Sequence, residues 1–258
     1  MKKLLGLLLS LTAGVVMVIF FANTASAFEI GARGYYWFPT LTNNMKVDAS
    51  GKPGTEFNVR DDLGMGNKGY PSIEVFAGLG KHHLSLMYTQ ADYSGSANLV
   101  NPITFNGATF ATGATVNSDL KIRMLDASYK YDLIDTSNIL AGFSISAVGK
   151  IKYIDAVASL SSPLVGQTSN NLKLPIPMVG AAAHIGLLAN ILEARAEITG
   201  IGYSGNYLYE ALADLSLTPF PFLDIHAGYK IIALRIDHSD TYFNGQIAGP
   251  YAALTVSF

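Results

Sequence analysis

The sequence has no cysteine, little charge and a single tryptophan among its 258 residues. The absence of cysteine excludes a disulfide scaffold, thiolate catalysis and cysteine-bound zinc. Charged residues make up 14% of the chain, against about 25% in an average protein. The formal net charge of −2 argues against a nucleic-acid partner, which would require a basic face. After the first segment, no apolar run is long enough to predict a transmembrane helix.

The N-terminal segment has the pattern of an export signal. Lys2 and Lys3 precede an uncharged apolar run at 4–21, and Ala25-Ser26-Ala27 fits the rule for cleavage before Phe28. We therefore predict a signal peptide at 1–27 and a mature chain at 28–258, exported in a Gram-negative bacterium. The apolar run is nearly long enough to span a bilayer, so an uncleaved membrane anchor is the alternative.

The rest of the chain alternates with period two, the pattern of β-strands whose two faces meet different surroundings. In 192–199 every second residue is apolar and the residues between are mostly polar or charged. A tilted strand needs about 9–11 residues to cross a bilayer, and most of the alternating segments reach that length. The ten segments are 28–38, 71–79, 82–93, 119–133, 139–154, 173–188, 191–203, 207–217, 223–237 and 247–258.

The connections between these segments alternate in length. Those after the second, fourth, sixth and eighth segments are short. The others are mostly long, with 204–206 as the exception: 39–70, 94–118, 155–172, 204–206 and 238–246. Short periplasmic turns and longer outer loops are typical of outer-membrane barrels. We therefore predict an all-β, single-domain, antiparallel transmembrane β-barrel of ten strands, or of eight if two weak segments merge.

A secreted β-sandwich or a lipocalin-like barrel would alternate in the same way, with apolar residues inside. Scarce charge and long apolar faces favour the membrane barrel instead. Aromatic residues also cluster near strand ends, as they do in the interfacial girdles of membrane barrels. They are Tyr35, Tyr36, Trp37, Phe38, Tyr88, Tyr93, Tyr203, Tyr207 and Tyr209 at one end, and Phe28, Tyr131, Phe220, Phe222 and Phe258 at the other.

Three predicted strands depart from simple alternation. Lys121 and Arg123 are one step out of phase with the polar residues that follow them, and Arg235 is out of phase with the charged residues before it. A β-bulge, or a strand that extends above the membrane, would explain either case. Pro175 and Pro177 lack the N–H group that a central strand donates, so they suit a bulge or the part above the bilayer.

The last eight residues, 251–258, resemble the terminal strand of Gram-negative outer-membrane barrels. In that class the C-terminal phenylalanine, here Phe258, is read by the barrel assembly machinery. The stretches 61–64, 82–88, 106–110 and 228–230 are similar to small proteobacterial outer-membrane barrels that have no assigned activity. The resemblance implies a location in the outer membrane and no particular reaction.

If the apolar faces meet lipid, the charged residues between them fill the barrel interior, the lumen. Acids and bases are balanced there, whereas a selective pore tends to carry one sign. Because an unpaired buried charge is costly, we predict ion pairs that neutralise each other across a largely closed lumen. A narrow, porin-like passive channel is the alternative. The predicted lumen residues are Glu29, Arg33, Glu74, Lys121, Arg123, Asp126, Lys130, Lys150, Lys152, Glu193, Arg195, Glu197, Glu210, Asp214, Asp224 and Lys230.

Two sets of residues are candidates for a catalytic site. A His–acid pair at the outer rim, as in omptin-type proteases, could activate water. The candidates are Asp237, His238 and Asp240, with Asp61 and Asp62, but adjacent residues of a strand point to opposite faces, so the omptin pattern is not matched.

His83 and Ser85 share a strand face, as an outer-membrane lipid A deacylase would need, but they follow a short turn and so fall at the periplasmic rim. His184 and His226 lie on different strands without metal-ligand spacing. We therefore predict a structural or interaction protein rather than an enzyme, with no catalytic residue, cofactor or metal. A hydrolase is the weakest alternative.

The outer loops are the remaining place for function. The runs 103–105 and 108–110 predict a hairpin above the membrane within 94–118. Loops of this kind can bind a partner or a surface. The predicted partners are outer-membrane lipid and lipopolysaccharide around the barrel, and the barrel assembly machinery at the C-terminal strand.

Overall fold

A computed structural model describes residues 28–49, 51–136, 142–188, 191–238 and 240–258, with the backbone alone at position 238. The predicted signal peptide at 1–27 lies outside the described residues. Within them, no helix is long and apolar enough to cross a membrane. The strands are β1 (Phe28–Trp37), β2 (Thr40–Val47), β3 (Phe57–Asn58), β4 (Tyr70–Leu79), β5 (His82–Asn98), β6 (Ile103–Phe105), β7 (Ala108–Phe110), β8 (Thr115–Asp135), β9 (Phe143–Ser162), β10 (Gly166–Leu188), β11 (Leu192–Tyr203), β12 (Asn206–Phe220), β13 (Leu223–His238) and β14 (Thr241–Ser257).

Ten of the described strands close into one antiparallel barrel in the order β1-β4-β5-β8-β9-β10-β11-β12-β13-β14. The barrel closes where β14 pairs with β1, from Gly31↔Ser257 to Trp37↔Tyr251. Closure leaves no free strand edge around this part of the wall, so the backbone groups there are paired within the sheet. The all-β barrel of ten strands is confirmed, and the eight-stranded alternative is wrong.

The two ends of the barrel differ. The turn end holds Phe28, Phe258 and short connections such as 80–81 and 221–222; the loop end holds β2, β3, β6 and β7. Two segments predicted as long loops, 155–172 and 238–246, are instead mostly strand extensions. β9 and β10 continue to a turn at 163–165, β13 continues to His238, and β14 begins at Thr241. The residues of these extensions still alternate with period two, but here most apolar side chains face the lumen and most polar side chains face outward.

The polarity of the two faces inverts along β8. Toward the turn end, Leu125 and Tyr129 face outward and are exposed, whereas Asp126 is buried in the lumen. Toward the loop end, Met124 is buried inside and Arg123 is exposed outside. The prediction that Lys121 and Arg123 line the lumen is therefore wrong. At their height the outer surface is polar and the interior is apolar, so regular alternation places both of them outside.

Strand extension, rather than a bulge, explains the phase changes. Pairing of β8 with β9 is continuous from Asn117↔Ser161 to Asp132↔Ser146, across the point where polarity inverts. Arg235 likewise lies in an unbroken β13–β14 ladder. Pro175 and Pro177 face outward on β10, beyond the last pair with β11, Val179↔Gly200. Their missing N–H groups therefore interrupt neither ladder.

The strand that pairs with β14 changes from β1 to β2 toward the loop end. The chain bends at Pro39, and β2 then pairs with the loop-end half of β14, from Ala248↔Thr40 to Thr241↔Val47. The Phe38 N–H donates to the Pro250 carbonyl across the bend. The loop end of the barrel is thereby built from two facing walls, β5-β8-β9-β10 and β13-β14-β2.

Candidate functional site

The turn end opens into a vestibule of about 520 Å³ that is lined by both polar and apolar side chains. His83 Nε2 lies 2.9 Å from Asp132 Oδ2, and the Ser146 hydroxyl donates to the other oxygen of Asp132 at 2.6 Å. His184 Nε2 lies 3.1 Å from Glu193 Oε2. The vestibule thus combines polar and acidic groups that already hold one another in place.

A first charged layer closes the vestibule on its inner side. Arg33 pairs with Glu74 at 3.0 Å, and the Tyr35 hydroxyl donates to the same carboxylate at 2.7 Å. Across the lumen, Asp214 accepts from Arg195 at 2.5 Å and from the Tyr251 hydroxyl. The two halves meet where the rings of Tyr35 and Tyr251 pack edge to face, with centroids 5.5 Å apart.

A second charged layer lies toward the loop end and is centred on Glu210. This carboxylate lies 2.9 Å from Lys150, 2.9 Å from Lys152 and 3.6 Å from Lys230. Lys152 has no exposed surface and pairs with Asp126 at 2.6 Å on the opposite side. Together these contacts join β8, β9, β12 and β13 through side chains alone.

Glu197 extends the second layer. Its two oxygens accept from Lys130 at 2.7 Å and from Lys150 at 2.8 Å. Lys230 also lies 5.6 Å from the centre of the Trp37 ring, within the range of a cation–π contact. Because every buried charge named in this layer has an opposite charge beside it, the layer avoids the large cost of isolated buried ions.

The lumen changes character beyond the second layer. The next inward residues are Ile154 after Lys152, Ile232 after Lys230 and Met124 before Asp126, and all three are buried. They begin an apolar chamber with a volume of about 90 Å³. The charged layer is thus the floor of this chamber.

A lid covers the loop end. Hairpin β6–β7 lies across the opening, with Phe105 fully buried against Phe57 at a centroid distance of 6.1 Å. Two hydrogen bonds hold the hairpin in place. The Thr55 N–H donates to the Thr104 carbonyl, and the Asn106 side chain donates to the Ser169 carbonyl at 2.9 Å. The predicted hairpin at 103–105 and 108–110 is confirmed.

Two local features shape the lid. Asn106 and Gly107 both have positive φ, at 47° and 79°, the signature of a tight two-residue hairpin turn. At the base of the lid, Asp48 accepts a hydrogen bond from the Gly54 N–H and lies 3.3 Å from Lys46. These contacts, the backbone bond foremost, hold the pKa of the Asp48 carboxyl below its usual value.

Comparison with known proteins shows similarity only at the level of distant folds. No family model and no curated protein matches the chain. Among solved structures, it is similar to the attachment invasion locus protein Ail of Yersinia pestis, at 12% identity and a TM-score of 0.37 over 91% of this chain and 100% of that one. It is also similar to Neisserial surface protein A, at 14% identity and a TM-score of 0.34 over 91% of this chain and 100% of that one.

A third similar structure is the translocator domain of the autotransporter NalP from Neisseria meningitidis. It is 12% identical, with a TM-score of 0.40 over 92% of this chain and 90% of that one. None of these values is high enough to carry an inference about activity.

Most of the residues predicted to line the lumen lie on its inward face. Glu29 is at the vestibule and Asp224 accepts from the Thr218 hydroxyl at 2.6 Å near the turn end. Lys121 and Arg123 are the exceptions, as described above. The structure brings the remaining residues of the prediction into the vestibule or the two charged layers: Arg33, Glu74, Asp126, Lys130, Lys150, Lys152, Glu193, Arg195, Glu197, Glu210, Asp214 and Lys230.

Sequence reasoning missed several polar partners. Asp132 continues the alternation of Asp126 and Lys130, so its phase could have identified it. Tyr35, Trp37 and Tyr93 were predicted in an interfacial aromatic girdle, but all three face inward. The Trp37 indole donates to the Gly249 carbonyl at 3.1 Å. Tyr35 and Trp37 alternate in phase with Arg33, and this phase could have assigned both of them to the lumen.

The two sets of catalytic candidates lie at opposite ends of the barrel, with His83 and Ser85 both lining the turn-end vestibule. Asp61 and Asp62 are exposed, and Asp62 accepts the backbone N–H of Asn58, a contact that shapes its own loop. Asp237 is also exposed, and the side chain at 238 lies outside the described residues. In the part of the chain that the structure describes, no cluster of three or more histidine or acidic side chains is suited to a metal.

Proposed function

We propose that the protein is an outer-membrane β-barrel of a Gram-negative bacterium with a structural or interaction role, and with a lumen closed to ions. The Glu210-centred layer carries the proposal, because it joins β8, β9, β12 and β13 across the lumen with paired side chains. A folded lid over the loop end adds a second closure. Interaction with partners then belongs to the lid and the outer loops.

The outer surface supports the membrane location. Ile73, Leu84, Ile198, Leu215 and Leu254 are exposed on successive parts of the wall. Isolated exposed apolar residues are ordinary, but a continuous band around a barrel marks a surface that contacts lipid. The lipid of the outer membrane, including lipopolysaccharide in its outer leaflet, would contact this band. The export signal at 1–27 belongs to the same proposal.

Phe258 is proposed as the residue read by the barrel assembly machinery. Its side chain is exposed at the turn end and stacks on Phe222, with centroids 5.3 Å apart. Its backbone exchanges hydrogen bonds with Ile30. An exposed aromatic beside the closing pair of strands is accessible to a factor that guides closure.

A charge on the outer band tests the membrane location. We expect Leu86→Lys to lower the free energy of unfolding in lipid vesicles by about 2–4 kcal/mol, since the ammonium group would enter hydrocarbon. Ser94→Lys is the matched control, because Ser94 is an exposed outward residue of the same strand near the loop end. We expect it to change stability by less than about 0.5 kcal/mol. Equal effects in urea titrations would contradict the proposed position of the bilayer.

Conductance tests the closed lumen. We expect residues 28–258, refolded into a planar bilayer, to carry no steady current, because the paired charges leave no continuous water path. Heat-modifiable migration and protection from protease in vesicles would show that the silent protein is folded and inserted. A steady ohmic current would overturn the closed lumen.

The second candidate function is a narrow passive channel. The vestibule favours it, since a space of about 520 Å³ with charged groups in its lining already penetrates from the turn end. Such a channel would require the two charged layers and the lid to rearrange. The conductance measurement separates it from the closed barrel.

A further inference from the structure

The apolar chamber is a space that a closed, purely structural barrel does not need. Its walls come from β8, β9, β10, β13, β14 and β2, with residues such as Ile122, Ile154, Leu172, Leu234, Phe243 and Met45. Its exposed lining is almost entirely apolar. Water is poorly held in such a space because it finds few hydrogen-bond partners there, whereas an apolar molecule is favoured.

The chamber has a side opening between β10 and β13. The hairpin β11–β12 between them ends early, and β10 continues 13 residues beyond its last pair with β11, from Val179 back to Gly166. Ile201, on the inward face of β11, is 43% exposed, as expected where the wall is low. Leu172, on the stretch of β10 that has no pair in β11, is only half-buried, whereas the chamber residues of β8 are buried.

The opening faces the interface region of the membrane. Tyr203, Tyr207 and Tyr209 are exposed on the hairpin below the gap, and tyrosines of this kind mark the headgroup level. A molecule held in the outer leaflet would therefore reach the chamber sideways, without passing the lid or the charged layers.

Asn43 provides the second, independent observation. It lies on the inward face of β2, opposite Gly245, and between Leu41 and Met45. It is 2% exposed, and neither its amide nitrogen nor its amide oxygen has a hydrogen-bond partner in the described protein. Gly245 and Met45 both line the chamber. A buried amide without partners is costly, which points to a ligand group that both donates and accepts.

We propose that the chamber binds one linear alkyl chain with a neutral hydroxyl head, which enters through the gap between β10 and β13. The hydroxyl bonds to the Asn43 amide, since it can donate and accept at once. The chamber is smaller than the cavity of about 150 Å³ that holds benzene, so a narrow chain fits and an aromatic ring does not. The remainder of the chain lies in the gap and in the lipid.

Trp37 makes the proposal measurable, because it is the only tryptophan of the chain. It belongs to the same buried cluster as the chamber residues Met45 and Ile232, and it touches Lys230 of the floor. The probe is 2-bromodecan-1-ol, whose bromine lies next to the hydroxyl head and quenches tryptophan at short range. We expect saturable quenching of Trp37 in protein embedded in lipid nanodiscs.

Filling the chamber separates binding from partition into lipid. We expect Ala156→Phe, in the chamber wall, to abolish the saturable component, because the new ring occupies the space. Ala147→Phe is the matched control on the outward face of the same strand, and it should quench as the unchanged protein does. Each variant is first shown to fold by heat-modifiable migration. Quenching that stays linear, or that is equal in Ala156→Phe, would overturn the proposal.

A second variant tests the role of Asn43. We expect Asn43→Leu to weaken the bromoalcohol about three- to tenfold, the effect of one lost hydrogen bond, and to leave 1-bromodecane unchanged. Equal affinity of Asn43→Leu for the alcohol would overturn the proposed head contact. Saturable quenching of Trp37 by bromobenzene, with an affinity equal to that of the bromoalcohol, would overturn the proposed class of ligand. These outcomes do not depend on whether the barrel conducts ions, so failure here is distinct from failure of the closed lumen.

Discussion

Glu210→Gln is expected to lower the free energy of unfolding by about 3–5 kcal/mol, the cost of removing one partner from a buried ion pair. Glu210 faces three lysines, of which Lys152 has no exposed surface. Without the carboxylate, three neighbouring cations share the remaining acids Asp126 and Glu197. Unfolding in urea, followed through Trp37 fluorescence in lipid vesicles, measures the change.

The control for this prediction is Glu29→Gln, the same chemical change at an exposed glutamate of the vestibule. We expect an effect below about 0.5 kcal/mol there. The double variant Glu210→Gln, Lys152→Met should lose less stability than the sum of the two single variants, because it removes a charge together with its partner. A loss of less than 1 kcal/mol in Glu210→Gln, or strict additivity in the double variant, would show that the layer is not a coupled network.

Phe105→Ala is expected to destabilise the closed lid by about 3–5 kcal/mol, since it empties a fully buried aromatic position. The barrel wall below should remain folded, because its ladders do not depend on β6 and β7. The effect is therefore local opening, which limited proteolysis of the outer loops detects. A change of about 3 kcal/mol corresponds to a more than 100-fold rise in the open population, and so in the cleavage rate under conditions of fast opening and closing.

Val100→Ala is the control for the lid, because Val100 is 83% exposed in the loop that carries the hairpin. It should be cleaved at the rate of the unchanged protein. If Phe105→Ala is also cleaved at that rate, Phe105 does not hold the lid closed, and the second closure of the lumen fails.

The placement of charges shows where sequence reasoning ends. Asp126 and Lys150 could be assigned to the lumen because they alternate with apolar residues on strands of bilayer length. Lys121 and Arg123 alternate just as well but in the opposite phase to Asp126, and on a regular strand without a bulge they lie outside. Alternation identifies two faces of a strand but does not say which face meets water, since that depends on the height of the residue relative to the lipid.

The same reasoning explains the missed extensions. Residues 155–172 were predicted as an outer loop, yet Ile154 and Leu160 keep the period-two phase of Lys150 and Lys152. In the structure these residues fill the apolar chamber and the lid contact from inside. The strand continues because backbone pairing requires only a neighbour, not a fixed polarity.

The sequence by itself determined the all-β architecture, the number of barrel strands, most of their bounds at the turn end, and the balance of opposite charges. It could do so because the pleat forces side chains to alternate and each crossing of a bilayer demands a minimum length. Only the tertiary structure decided which charges meet, such as Glu210 with Lys150 and Lys152, residues about 60 positions apart in the chain. Closure of the barrel sets those distances. It also encloses the apolar chamber, because it brings the loop-end parts of β8, β9 and β10 opposite those of β13, β14 and β2.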